Sequence, residues 1–238
     1  MNKAIRKLTA YYEWALWETE EGKKALDYIQ GRGFNDETIR SFNLGYAPVK
    51  PTNIRKFDFL SNYENKILAD HGHTGDTESL PFDKFSGRLI FPVRDELSRI
   101  CGFGGRALDE SAMKYFNTGD SPIYKKGEAL LGIEKARKAI FERGAAILCE
   151  GYTDVLAFHQ VGTEHAVACM GTYATQRQLL MIGRYSKNLF LIFDGDDAGE
   201  GATHRTEKLA LEMGFSVNKV ALPAGKDPAE VFLTAPGT

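Results

Sequence analysis

Four carboxylates occupy the places in this sequence where chemistry is easiest to locate. Glu150 follows the apolar run AAILC, Asp194 and Asp196 follow LFLIF with one glycine between them, and Asp227 lies in GKDP. The runs have the length and composition of strands, and in an open parallel sheet ligands gather beyond the carboxyl ends of the strands. Four acids from distant points of the chain therefore converge on one edge. Without a counterion they repel one another and at least one stays protonated. A hard divalent cation resolves the conflict, because Mg²⁺ takes oxygen ligands and keeps waters and substrate phosphates in its shell. On their own these residues point to phosphoryl transfer.

The neighbouring glycines agree. Gly151 and Gly195 allow sharp turns and leave room for a phosphate to approach. Asp197 is expected to cap a helix that starts near Gly199. An EF-hand reading of DGDDAGEGATHR fails, since Ala198 stands at the fifth position and Arg205 where a bidentate Glu belongs.

Other motifs carry less. Gly102, Gly104 and Ala107 fit the dinucleotide fingerprint, but the next residues, ALDESAMKYFN, read as a polar turn and a short strand rather than a helix, which argues against a nicotinamide or flavin site. His71 and His73 sit in a polar, glycine-bearing stretch from Ala69 to Ser79 with no other His or Cys close by, so they read as loop residues rather than metal ligands. Cys101, Cys149 and Cys169 are odd in number, widely spaced and set in apolar runs, so they read as buried thiols rather than disulfides or a zinc site.

The elements that position the acids come mostly after Glu128. A helix there leads into a strict alternation: AAILCEG strand, DVLAFHQVG helix, HAVACMG strand, TQRQLLMIGRYS helix, NLFLIFDGDDAG strand, EGATHRTEKLALEMG helix and VNKVALPAG strand. Continuous apolar runs predict strands buried on both faces, and the alternation predicts a parallel four-stranded sheet flanked by helices. Upstream, apolar spacing predicts helix from Asn2 to about Arg40, broken at Gly31 and Gly33, with Asn35 or Asp36 capping a further short helix. LGYAP at Leu44 to Pro48 reads as a turn, and RLIFPVRD with RICGFGGRAL as a hairpin.

The fold class is thus α/β, an α+β front part over residues 1–140 followed by an α/β domain over 141–238. Charge divides with it: the front part carries 22 Lys+Arg against 20 Asp+Glu, and the rear part 8 against 12. No apolar run reaches the roughly 18 residues that span a bilayer, and no signal-peptide core or cleavage site is present, so a cytoplasmic protein without membrane contact is expected.

Glu150-Gly151-Tyr152-Thr153-Asp154, Asp194-Gly195-Asp196 and Gly225-Lys226-Asp227-Pro228 together resemble the Toprim domain of bacterial DnaG-type primases. Upstream, GKKALDYIQGRGFNDETIRSFNLGYAP, GRLIFPVRD, GFGGRAL, KYFNTGDSPIYKKGEALLGIEKA and CMGT are similar to successive blocks of that family's RNA polymerase core, in the family's order. The resemblance implies RNA primer synthesis on a single-stranded DNA template from ribonucleoside triphosphates during replication. It implies that Glu150, Asp194, Asp196 and Asp227 bind the assisting Mg²⁺ or Mn²⁺, with Asp154 as a further acidic member. It implies that Lys114, Asn117 and Lys126 contact the phosphates of the incoming nucleotide, and that Arg32 and Arg106 hold template or hybrid backbone. A ribonucleotide 3′-hydroxyl would attack the α-phosphate, with no protein nucleophile.

The sequence departs from the family in three ways. It has no Cys/His cluster of the family's amino-terminal zinc domain. It ends at Thr238, before the family's helical and helicase-binding parts, so helicase contact is a family expectation only and a fragment or reduced relative is expected. Two residues after Asp227, where the family often has a second acid, stands Ala229; Glu230 beside it is expected to point elsewhere. Two alternatives stay open: a Toprim nuclease, which has no need of the KYFN and YKKG cations, and a noncatalytic nucleic-acid-binding module.

Overall fold

A computed structural model describes residues 2–49, 74–75, 82–109 and 113–234; His71 and His73 lie outside them. The chain divides into two compact units, the first containing Met1–Gly31, Ile39–Val93 and Arg99–Lys126, the second Arg32–Thr38, Arg94–Ser98 and Gly127–Thr238. No helix among the described residues is long and apolar enough to cross a membrane.

In the first unit, α1 (Asn2–Glu18) buries Ala4, Ile5, Leu8, Tyr11, Tyr12, Ala15 and Leu16, the one-sided pattern of an amphipathic helix. The chain breaks at Thr19, one break more than the glycines predicted. The Thr19 hydroxyl accepts from Gly22 N at 3.0 Å and opens α2 (Glu20–Gly31). In the Arg32–Thr38 segment, which belongs to the second unit, Asn35 caps α3 (Asp36–Ser41), its Oδ1 accepting from Thr38 N at 2.8 Å.

LGYAP is not a turn. Gly45–Ala47 form β1, antiparallel to β4 (Arg88–Arg94) with Gly45 opposite Ile90. A Cβ on Gly45 would stand 2.5 Å from Tyr12 Cβ, so the glycine permits close packing of α1 on this strand rather than a change of direction. Between them, β2 (Thr74–Gly75) and β3 (Phe82–Asp83) make a small antiparallel ribbon.

β5 (Ile100–Ala107) runs unbroken and antiparallel to β6 (Tyr115–Asn117), giving the sheet order β1-β4-β5-β6. The GFGGRA glycines therefore lie inside a strand. Beneath it, Phe103 meets Tyr12 and Phe85 edge-on at 5.5 and 5.9 Å. The Tyr12 hydroxyl donates to Asp83 Oδ2 at 2.7 Å. Burial pushes the Asp83 carboxyl up to about 6 against the pull of Tyr12 and the Phe85 amide.

The second unit follows the predicted alternation: α4 (Ile133–Arg143), β7 (Ala146–Cys149), α5 (Tyr152–Gln160), β8 (Ala166–Ala168), α6 (Gln176–Ile182), β9 (Asn188–Leu191), α7 (Asp197–Glu212), β10 (Ser216–Lys219) and α8 (Pro228–Thr234). All four strands are parallel, in the order β10-β9-β7-β8. Leu148, Val167, Leu179, Ile182, Leu189 and Leu191 share one core, and truncating any of these leucines to alanine costs about 2–5 kcal/mol. The edge strand β10 departs from the expectation of burial on both faces, since its residues are exposed or half-exposed. All three cysteines are free and buried, as expected.

Candidate active site

Because β7 and β9 lie side by side with Leu148 opposite Leu191, the residues that follow them emerge together at one edge of the sheet. Glu150 leaves β7 with its Oε1 buried and without a hydrogen-bond partner among the described residues. Burial pushes its carboxyl up to about 7, and the charges of Asp194 and Asp196 add to this, while the Asp194 amide and Arg205 oppose it. Asp194 is pushed up to about 6 by burial, then by Asp227, Asp196 and Glu230, against the nearby Arg32 charge. Asp154 is buried in the first turn of α5, where its Oδ2 accepts from Gly151 N at 2.8 Å. It too is raised to about 7, by burial first and then by Asp194, Asp227 and Glu150. The five predicted acids thus form a connected electrostatic group.

Several of them also hold the backbone. Asp196, not Asp197, caps α7, with Oδ1 accepting from Gly199 N at 2.8 Å; the helix begins earlier than its glycine suggested. Asp227 Oδ1 accepts from Glu230 N at 2.7 Å at the start of α8, and its Oδ2 accepts from Arg32 Nη2 at 3.0 Å. The turn carrying Asp194 is fixed to the loop carrying Asp227: Gly195 N donates to Lys226 O at 2.9 Å, and Gly225 N to Gly195 O at 2.7 Å. A Cβ on Gly195 would lie 2.4 Å from Pro223 O, so only glycine fits there.

Ala229 is 2% exposed and packs as an apolar residue. Glu230 pairs with Lys226 at 3.1 Å, and its charge bears on Asp194. Among the described residues, no three acidic, histidine or cysteine side chains stand as a ready metal cage. The acids form an open group with one oxygen of Asp227 turned to an arginine.

Three neighbours escaped the sequence reading. Arg205, considered only in rejecting an EF-hand, sits with its guanidinium 5.0 Å from the Tyr173 ring and acts on Glu150. The adjacent Thr206 hydroxyl ties α7 to the amide of Ala174 at 3.2 Å. Met170, with φ 55°, donates its amide to Glu150 O at 3.0 Å. The block CMGT flagged this last loop without indicating its left-handed residue.

The predicted cations, apart from Arg32, belong to the first unit. Lys114 and Lys126 are exposed, and Asn117 is half-buried on β6 opposite Gly104. The Lys126 amide is anchored to Asp120 Oδ1 at 3.0 Å. Arg106 is only 9% exposed; its Nη1 donates to the Tyr115 hydroxyl at 2.6 Å, and its guanidinium lies 5.2 Å from the rings of Tyr28 and Tyr115. Tyr115, 38% exposed, is the outward member of that stack.

Comparison with known proteins gives two family matches: the DNA primase catalytic core, N-terminal domain, over residues 11–137, and a Toprim-like family over residues 147–232. The chain is 40% identical over 212 residues to the DNA primase of Deinococcus radiodurans, an alignment that covers 88% of this chain and 37% of that protein. It therefore spans little more than a third of that relative. The RNA polymerase domain of Mycobacterium tuberculosis primase DnaG superposes with a TM-score of 0.88 at 31% identity, covering 98% of this chain and 78% of that one. A structure of the DnaG primase catalytic domain bound to ssDNA matches with a TM-score of 0.84 at 31% identity, covering 96% and 72%.

Proposed function

This chain belongs to the DnaG-type DNA primase family, and on that premise we propose that it carries the nucleotidyltransferase centre that makes RNA primers on single-stranded DNA. The observation that carries the reading is the acid group. A buried, unpartnered Glu150 oxygen beside raised Asp154 and Asp194 is a set of oxygen donors whose mutual repulsion the nearby Arg32 and Arg205 charges do not offset. That is the donor chemistry a hard divalent cation fits.

Glu150, Asp194, Asp196 and Asp227 would hold Mg²⁺ or Mn²⁺, and Asp154 supports them by fixing the Gly151 turn. When bound, the cation supplies neutralisation of triphosphate charge and a lowered pKa for the attacking 3′-hydroxyl. The protein's part is positioning. Two exposed ammonium groups, Lys114 and Lys126, with the Asn117 amide, bind the phosphates of the incoming ribonucleotide. Arg106 steadies Tyr115, and with Arg32 it supplies contact to the template or hybrid backbone. Asp196 and Asp227, as helix caps, keep their carboxylates within a narrow range of directions.

The test incubates the chain with single-stranded DNA, ribonucleotides and Mg²⁺ or Mn²⁺. Short RNA products, lost in Glu150→Gln, are expected. Shortened DNA without RNA would favour a nuclease, and salt-dependent DNA binding with neither product would leave a binding module.

A further inference from the structure

Arg32 comes from the GRG motif, 195 residues before its partner, yet it meets Asp227 Oδ2 at 3.0 Å with the two side chains only 20% and 27% exposed. Its segment is firmly held. Gln160, at the end of α5, donates to Gly33 O at 2.8 Å and accepts from Asn35 N at 2.9 Å. The other oxygen of Asp227 is committed to the first turn of α8. A cation that binds Asp227 through Oδ2 must share or displace Arg32, whereas Oδ1 keeps the hydrogen bond that opens α8. Arg32 also lies near enough to act on Asp194.

A guanidinium and a dication that share one carboxylate repel each other, so each weakens the binding of the other. The planar fork of arginine suits phosphate as well as carboxylate. An incoming phosphate can therefore draw the guanidinium off Asp227 without leaving either charge alone.

We propose that Arg32 is a positioning residue that holds Asp227 until a divalent cation takes the carboxylate, the released guanidinium then binding a nucleic-acid phosphate. Cation and nucleic acid are thereby coupled through one ion pair. The proposal rests on reading the acids as a cation site. By linkage the coupling is reciprocal: each ligand tightens the other by the same factor.

Mn²⁺ alone, titrated into the chain and followed by electron paramagnetic resonance, tests this with and without a short single-stranded DNA. Arg32→Gln should bind Mn²⁺ about fivefold more tightly than wild type. DNA should tighten Mn²⁺ binding by a similar factor in the wild type and leave Arg32→Gln unmoved. Arg32→Lys, which keeps charge but not the fork, should retain only part of the DNA response. Unchanged or weaker Mn²⁺ affinity in Arg32→Gln, or an undiminished DNA effect, overturns the proposal; weaker affinity with a lowered melting temperature marks a purely structural tie. Should Arg32→Gln fail to fold, Asp227→Asn serves, since it should weaken Mn²⁺ binding and abolish its DNA response. Asp194→Asn separates the two layers. If it leaves Mn²⁺ affinity intact, the reading of the acids fails; if it abolishes binding while Arg32→Gln is neutral, only the coupling fails.

Discussion

The two units place their functional groups under opposite conditions. In the second, like charges are packed into a partly buried group, and the same carboxylates cap α7 and α8 or fix the Gly151 turn. In the first, Lys114 and Lys126 are exposed ends that make no ion pair among the described residues, and the buried Arg106 is held by two tyrosine rings and a hydroxyl. Stability and chemistry are therefore entangled in the acid group and separable among the lysines. Substitutions that move one quantity without the other test that contrast.

The largest effect should come from Glu150→Gln. The Oε1 of Glu150 has no partner among the described residues, and glutamine keeps a carbonyl oxygen that can accept from the Asp194 amide, so the change removes charge with little loss of structure. Primer synthesis should fall by at least about a hundredfold, the order seen when a single group that stabilises charge in a transition state is removed. The melting temperature in EDTA at neutral pH should stay level or rise, because one of the repelling carboxylates is gone. A fall in both would mean that Glu150 belongs to the architecture and that the contrast is wrong.

Gly195→Ala makes the converse point. The Cβ would lie 2.4 Å from the carbonyl of Pro223, so the turn bearing Asp194 must part from the Asp227 loop and give up its two backbone hydrogen bonds. A loss of about 2–4 kcal/mol in denaturant unfolding is expected, with activity lost alongside although no charge has changed. Normal stability in this variant would mean that the clamp between the two loops is unimportant.

The sequence made the acid group legible because it depends on order along the chain. Apolar runs buried in a parallel sheet are visible as runs, and an acid directly after one must emerge at the strand end. What it concealed depends on contacts between distant residues. Gly45 looked like a turn until the partner β4 and the side chain of Tyr12 were known. Asp197 and Asp196 compete for one cap, and backbone angles rather than residue type decide between them. The Arg32–Asp227 pair and the effect of the Glu230 charge on Asp194 belong to no local pattern. In the first unit the motif cations were legible as exposed residues, but the tyrosine stack that buries Arg106 was not.

Acidity offers a third way to separate the units. Glu150, Asp154 and Asp194 titrate near 7, 7 and 6 in the folded chain, against about 4 when unfolded. A raised acid binds its proton more tightly when folded, so its contribution to stability is greatest below pH 4 and is lost as pH climbs through the window from 4 to 7. In EDTA, the melting temperature should therefore fall between pH 5 and pH 7.5. Mg²⁺ should flatten the fall by supplying the missing positive charge. Asp83, raised to about 6 in the first unit by burial, contributes a fall of the same sign. That part should persist in Mg²⁺ and disappear in Asp83→Asn. A pH response abolished entirely by Mg²⁺ would remove the distinction between the two buried acidic environments.

The smallest effect, and the clearest for the first unit, should come from Lys126→Ala. The fixed point at this residue is its backbone amide on Asp120, which alanine keeps, while its exposed ammonium is removed. The melting temperature should not move, and the apparent KM for ribonucleotide should rise roughly tenfold, about 1.4 kcal/mol, with kcat less affected, because a phosphate contact made equally in ground and transition states is uniform binding. If Lys126 instead touches the DNA backbone, the KM for nucleotide should hold and the slope of log affinity for DNA against log salt should shrink by about one. The two outcomes assign the same charge to different substrates, and neither requires the fold to change, which is what separates this lysine from the capping acids of the second unit.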